Sequence, residues 1–391
     1  MTEIRRLRAD EFDEAFSLGR RAFPMQPESD RERLRDRFVP EMFTGVFDDG
    51  RMIGRTIEHR FGHHLGGRVV PAIGIAGVAV DPTIRGRGIG SQMMNWVHEQ
   101  ARGDGIPFAS LYPATLPIYR NLGYGDAFHR TAFTARLERL PSKPIGTAVV
   151  ESYTDSDESA VRDAYDRFAS TQAGIVARDD DWWEHRILDL KTTPQRYVVR
   201  EEGELVGYFF FDFAPAKDDW RQRIDVKDMV ALTPSAGSAI LAFAALHRST
   251  CSTIHWTGPA NEPLQWLQHD HAIELSHGFN AMARVLDVPG AIASRGYFEA
   301  VEAEVSLAIS DPRIPDNDGP WLISVVKGVG SAEPARSTDG FCTIQAFSSM
   351  FTGMLSPADA RRVGGLSADD EAVRKLTAIF AGPTPWLSDF Y

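Results

Sequence analysis

The sequence is poor in cysteine. Its 391 residues include two, Cys251 and Cys342, which argues against a disulfide framework or a cysteine-rich zinc site and fits a reducing compartment. Long apolar runs are also missing. The longest, "VVPAIGIAGVAV" and "AILAFAAL", fall well short of the roughly 20 residues that a spanning helix needs, so no membrane span is expected. The first residues, "MTEIRRLRADEF", are charged and lack the apolar centre of a signal peptide, which makes the cytoplasm the expected location. Positive charge is in deficit. A formal net charge of −12 argues against nucleic acid as a partner and mildly favours cationic ligands, although an acidic surface mostly serves solubility.

What is present reads as α+β (α/β) in two or three domains. The first 142 residues alternate elements: a helix over "ADEFDEAFSLGRRAF", a hairpin turning at Asp49-Gly50, a strand "AIGIAGVAV", a helix "SQMMNWVHEQARGDG", a buried strand "FASLYP" and a short helix "LPIYRNLGYG". Residues 143–288, entered through the linker "RLPSKPIG", repeat this plan in faded form. "REEGELVGYFFF" echoes "FDDGRMIGRTIE", and "DMVALTPSAGSAILAF" follows "GVAVDPTIRGRGIGSQMM" with Pro234 answering Pro82. The second copy has lost the arginines. Residues 289–391 have no counterpart in the repeat; two strands around "DPRIPDNDG" and two capped helices, "SPADARRVGGL" and "DDEAVRKLTAIFAG", are expected there. The chain ends on "PTPWLSDFY", too aromatic for a frayed tail, so a docked terminus is expected.

The stretch "RGRGIG" carries the strongest chemical signal. Between a strand and a helix, backbone N–H groups without intrahelical partners point outward and bind phosphate. Gly86, Gly88 and Gly90 let the backbone approach a ligand, while Arg85 and Arg87 add fixed positive charge, so the expected ligand is a diphosphate. Two nucleotide motifs are absent: no G-K-[ST] follows, and the position three beyond Gly88 is Ser91 rather than glycine. What remains is Arg85-x-x-Gly88-x-Gly90 after Val78-x-Val80-x-Pro82, which resembles the coenzyme A pyrophosphate loop of the GNAT acetyltransferases. The resemblance implies acetyl-CoA as cosubstrate, held by Val78, Ala79 and Val80 of a splayed strand and by Arg85, Gly86, Arg87, Gly88, Ile89, Gly90 and Ser91, with a backbone oxyanion donor near Val78.

A narrower likeness rests on "IYRNLGYG", the degenerate second half, a third domain of about a hundred residues and the aromatic end. Together these look like the Eis (enhanced intracellular survival) family: tandem GNAT domains, the second degenerate, followed by a sterol-carrier-protein-like domain. That resemblance implies Tyr119 as proton donor, the α-carboxylate of Tyr391 as proton acceptor, further cofactor contacts at Ala114 and Thr115, an aminoglycoside-like or polyamine acceptor and a homo-oligomer, hexameric in the family. Where the family has serine, Ala114 leaves only backbone contact or the Thr115 hydroxyl, and Pro117 in place of glycine stiffens the acceptor-side loop. Two other readings stay open: a GNAT acting on peptide or protein amines, and a non-catalytic lipid- or CoA-binding protein.

Other features read as structural. The pairs "HH" at 63–64 and "HDH" at 269–271 lack metal-ligand spacing, so no metal is expected. Tyr124 is read as packing, "DDDWWEHRILD" as a structural helix, and both cysteines as small buried hydrophobes.

Overall fold

A computed structural model describes residues 2–23, 27–188, 195–217, 219–267 and 272–391. Seven strands precede residue 143: β1 Thr2–Arg6, β2 Phe43–Asp48, β3 Arg51–Leu65, β4 Arg68–Val80, β5 Phe108–Leu111, β6 Gly125–Phe128 and β7 Thr131–Arg136. Four helices lie among them: α1 Phe12–Ala22, α2 Arg31–Asp36, α3 Ile89–Gly103 and α4 Leu116–Asn121. The β2–β3 turn takes left-handed φ at Asp49 (47°) and Gly50 (79°), the mirror-image turn whose twist matches paired strands.

The middle stretch repeats the pattern with β8 Val149–Ser152, β9 Val176–Ala177, β10 Gln195–Glu201, β11 Glu204–Pro215, β12 Gln222–Ala231, β13 Cys251–Gly258, β14 Ile273–His277 and β15 Ala281–Val285. Its helices are α5 Glu158–Ala169, α6 Asp180–Trp182 and α7 Pro234–Leu246. Glu202 (51°) and Gly203 (88°) reproduce the turn of Asp49 and Gly50, so the echo seen in sequence is a true structural repeat. The last stretch holds the short helix α8 Val288–Ser294, then β16 Ala303–Ser310, β17 Gly319–Val326, β18 Val329–Pro334, β19 Gly340–Thr343 and β20 Leu366–Ala368. Helices α9 Ile344–Thr352, α10 Pro357–Arg362 and α11 Asp370–Ile379 cover its five-stranded sheet, ordered β18-β17-β16-β19-β20. Ser356 and Asp369 cap α10 and α11 as expected.

The two larger sheets are woven together. The first runs β1-β2-β3-β4-β5-β15-β6 with β9 beside β3; the second runs β14-β7-β13-β12-β11-β10-β8. Each has one parallel pair among the described residues, β4 with β5 and β12 with β13. Strand β15 comes from the second half yet sits between β5 and β6, and β7 from the first half sits between β13 and β14. The sheets therefore do not divide where the repeat divides in sequence at 142/143. Each half closes the other's sheet, which removes edges that neither could cover alone.

Strand β15 also ties in the third domain. Arg284 Nη2 donates to Asp311 Oδ1 at 2.7 Å and Oδ2 at 2.9 Å, with both side chains fully buried. Asp311 accepts as well from the backbone N–H of Ile314 and from Asn317 Nδ2. Gly123, at φ 90°, makes room for this pair, since a Cβ there would lie 2.3 Å from Arg284 Nη1. Removing one member of a buried pair strands the other charge, at a cost of about 3–5 kcal/mol. Asp311→Ala is expected to lower the thermal midpoint sharply, as differential scanning fluorimetry reads; an unchanged midpoint would mean that the pair does not hold the domains.

Candidate functional site

Strand β4 is paired on both sides only for part of its length. With β5 it pairs from Ala72↔Phe108 to Ile75↔Leu111, while on its other side β3 follows it as far as Gly54↔Val80. Beyond Ile75 the edge facing β5 carries backbone groups with no strand partner among the described residues. Gly77, at φ 56°, accompanies a register shift between Arg55 and Ile57 on β3, a bulge in the β3–β4 pairing. Val78, Ala79 and Val80, where a splay is expected, thus lie beyond the end of the β4–β5 pairing.

The loop that follows is held by a residue the sequence reading passed over. Asp81 is buried and accepts from Thr83 N (3.0 Å), Thr83 Oγ1 (2.7 Å) and Arg51 Nη2 (2.5 Å), and the first of these bonds leads in holding its carboxyl below the usual range. Gly86 (φ 83°) and Gly88 (φ 81°) take left-handed conformations with open space around them, so glycine is needed for the sign of φ rather than for room. Gly88 is also the N-cap of α3 and offers no side chain, leaving the first-turn N–H groups of Ile89, Gly90 and Ser91 to a ligand. Arg85 and Arg87 are exposed beside it. The second half differs: only Leu232 and Thr233 separate β12 from α7, and Thr233 caps that helix itself by accepting from Ala236 N. Of these two strand-to-helix junctions, the first leaves its helix end open and the second does not.

Past β5, Ala114 and Thr115 are exposed, and Thr115 starts α4 without a side-chain cap bond. Tyr119 is the buried residue of that helix, and burial raises its pKa, so the hydroxyl keeps its proton at neutral pH. Tyr124 is fully buried and hydrogen-bonded to His98 Nε2 at 2.7 Å, the packing role expected for it.

The C-terminal segment is docked between the halves. Trp386 N donates to Ala173 O and Leu387 N to His129 O, which fixes the backbone. Asp389 pairs with Arg178 at 3.0 Å and accepts from Trp182 Nε1 at 2.9 Å; Arg178 in turn pairs with Asp228 at 2.6 Å. Tyr112 Oη donates to Asp389 O, Arg130 Nη1 to Ser388 O and Arg186 Nη1 to Phe390 O. The Tyr391 ring lies 5.1 Å from Phe61 and 5.2 Å from Tyr112. Its hydroxyl ends a buried chain. His63 Nδ1 lies 2.7 Å from Gly174 O, which can only accept, so this nitrogen carries the proton and Nε2 accepts from Ser110 Oγ at 2.8 Å. Ser110 Oγ then accepts from Tyr391 Oη at 2.7 Å.

Tyr119 and Tyr391 approach β4 from opposite faces. Ile73 and Ile75 share an apolar cluster with Tyr119, whereas Gly74 between them faces the Tyr391 ring, 2.8 Å from where a Cβ would stand. On the Tyr391 face a pocket of about 1150 Å³ opens, reaching β4 at Ala76 and walled by aromatic residues of α1 and by Trp182 and Tyr391.

Comparison with known proteins agrees with this architecture. Acetyltransferase (GNAT) domain families match residues 3–127 and 174–285, and a sterol carrier protein domain family matches 288–388. The chain is 27% identical to an uncharacterized N-acetyltransferase of Streptomyces griseus over 92% of each, and 25% identical to N-acetyltransferase Eis of Mycobacterium tuberculosis over 81% of this chain and 80% of that one. Among solved structures, Eis1 of Mycobacterium abscessus superposes with a TM-score of 0.82 at 25% identity over the whole of both chains. A GCN5-related N-acetyltransferase of Anabaena variabilis, 24% identical, shares the fold with a TM-score of 0.93. The chain is an Eis-like GNAT N-acetyltransferase.

An Eis-like fold uses acetyl-CoA, and the open edge of β4 and the uncapped end of α3 fit that cosubstrate. The stretch "DDDWWEHRILD" is helical as expected, turning from α6 into a π-helix over Trp183–Ile187 with Trp182 and Trp183 in the core, and it also brings Asp181, Trp182, His185 and Arg186 to the pocket wall; Asp189 lies outside the described residues. His63 is structural, through the two bonds above, and "HDH" at 269–271 lies outside the described residues. Cys251 and Cys342 are buried, and burial raises both thiol pKa values. No helix among the described residues is long and apolar enough to cross a membrane.

Burial pushes the His63 pKa down to about 4 from 6.5. The unfolded chain therefore takes up this proton first, so the contribution of neutral His63 is complete above pH 6.5 and is lost as pH falls toward 4. Urea midpoints measured across that range should fall, and His63→Asn should flatten the slope; an identical slope in the variant would place the titration elsewhere.

Proposed function

We propose that the chain transfers acetyl from acetyl-CoA to a primary amine by direct attack within a ternary complex. The observation that carries this reading is the open backbone edge of β4 at residues 76–80, flanked by Tyr119 on one face and Tyr391 on the other. The amine nitrogen attacks the thioester carbonyl carbon, and a backbone N–H near Val78 stabilises the oxyanion that forms. The Tyr391 carboxylate accepts the proton lost by the nitrogen. As the C–S bond breaks, Tyr119 Oη donates its proton to the departing thiolate, leaving an acetamide and free CoA; solvent restores both groups. Arg85, Arg87 and the first-turn N–H groups of α3 hold the diphosphate.

The Eis resemblance points to an aminoglycoside-like or other polyamine acceptor, and the pocket has room for one. Its charge narrows the choice. Asp36, Asp181 and Asp212 face Arg33, Arg37, Arg55, Arg186 and Lys227, a wall that suits a single amine on an apolar body better than a polycation. The same balance favours peptide amines as the second reading. Cytoplasmic location and assembly as a homo-oligomer, hexameric by resemblance, belong to this proposal.

A thiol-release assay with acetyl-CoA and a panel of amines tests it. Tyr119→Phe should lower kcat by about a hundredfold or more with little change in acetyl-CoA affinity, since proton transfer is worth roughly 10²–10⁴ in rate; an unchanged kcat would remove Tyr119 from the mechanism. The base needs a free α-carboxylate at Tyr391. Deleting Tyr391, or adding a single glycine after it, should abolish turnover while acetyl-CoA still binds by calorimetry, and full activity in either variant would exclude the carboxylate.

A further inference from the structure

Among the described residues, Arg55 is a buried arginine for which neither an ion pair nor a hydrogen bond is formed. It lies on β3 opposite Ala79, one residue before Thr56, where the β3–β4 register shifts, and its residue is 5% exposed. Its Nε and Nη1 have no hydrogen-bond partner among the described residues, and no carboxylate pairs with it there. Burial alone lowers its pKa to about 10, which still leaves it fully charged at neutral pH. A buried, uncompensated guanidinium is costly, so proteins pair such groups or keep them for a ligand.

The fold has made a slot for it. A Cβ on Gly19 of α1 would fall 2.0 Å from Nη2, and one on Gly77 at the β4 bulge 2.9 Å from Nη1. Glycine inside a helix weakens it by roughly 1 kcal/mol relative to alanine, and here it leaves space for the side chain of Arg55. Arg55 lines the large pocket on the same wall as Ile57 and Ala76, with Phe12 and Phe16 of α1 alongside. The pocket's side-chain carboxylates do not pair with Arg55: Asp212 pairs with Lys227, Asp36 is exposed, and the Asp181 side chain is 80% exposed. The other end of the pocket is closed by Phe390 and Tyr391.

We propose that Arg55 is the specificity-determining residue of the acceptor pocket and binds a carboxylate on the acceptor, so that the enzyme acetylates amines that also carry a carboxylate and an aromatic or apolar body. The inference rests on the pocket being the acceptor site. A carboxylate set against the guanidinium would give the buried charge its missing partner. An acceptor with several ammonium groups meets like charge at the same place. An amine such as a hydrophobic amino acid or short peptide brings the anion to Arg55, while its nitrogen is left for the thioester beside β4.

The test separates binding from turnover. Phenylpropanoate and phenylpropanamide differ only in the group offered to Arg55, and neither has an amine to acetylate. By calorimetry on the full-length protein, the acid should bind at least about tenfold more tightly than the amide, the difference expected of a charge-assisted hydrogen bond. Arg55→Met, which removes an uncompensated buried charge and so should not unfold the chain, should erase that preference and leave amide binding unchanged; Gly19→Ala, which fills the slot, should weaken it. Equal binding of the two probes by the natural protein, or a preference that survives Arg55→Met, overturns the proposal. Turnover of phenylalanine and phenylalaninamide with acetyl-CoA then tests the acceptor reading separately: probe binding as expected with neither amine acetylated leaves the anion site standing and refutes the acetyl-transfer role of the pocket.

Discussion

The guanidinium of Arg178 sits buried between the carboxylates of Asp228 and Asp389, and the candidate site depends on that contact more than on any other. Asp228 belongs to β12 of the second half and Asp389 to the third domain's last residues, next to Phe390 and Tyr391 of the pocket wall. A buried ion cluster of this kind adds little net stability compared with a well-packed apolar substitute. What it supplies is position: the rigid fork of Arg178 and the indole N–H of Trp182 leave Asp389 one place to be. Two residues later, Tyr391 is held to Ser110 and to Gly74 of β4.

This arrangement makes the degenerate half a working part. Its loop is too short and its helix too well capped to hold a diphosphate, yet it lends β15 to the first sheet and Arg178, Trp182 and Arg186 to the tail and the pocket. The strand exchange matters for the same reason. With β7 and β15 each built into the other half's sheet, the halves cannot hinge freely, and Tyr119 and Tyr391, from distant parts of the chain, keep their spacing.

Much of the cofactor side was legible in the sequence because its determinants are local. Glycines that need positive φ, arginines beside them and a strand-to-helix junction occupy ten consecutive residues, and backbone sterics act on neighbours. The repeat was legible for a similar reason, since Asp49-Gly50 and Glu202-Gly203 code the same turn. Helix α9 was not seen: almost every residue of Ile344–Thr352 is buried, so it has no polar face and no helical period to read. Asp81 was passed over because an Asx turn before proline is common, and only its burial and its three donors mark it.

The acceptor side belongs to the tertiary structure. By itself the sequence determined the fold class, the glycine-rich turn before α3 and a tail too aromatic to be free, all consequences of local conformational preference and hydrophobic pattern. Nothing in "GRTIEHRF" distinguishes Arg55 from a surface arginine, because its burial comes from Gly19 thirty-six residues earlier and Gly77 twenty-two later. Nor does "DDDWWEHR" reveal that it faces a pocket, which depends on two sheets exchanging strands. Electrostatics in a protein is a property of three-dimensional surroundings: a guanidinium that is ordinary in water becomes a strong charge where burial leaves it without a carboxylate partner from the protein.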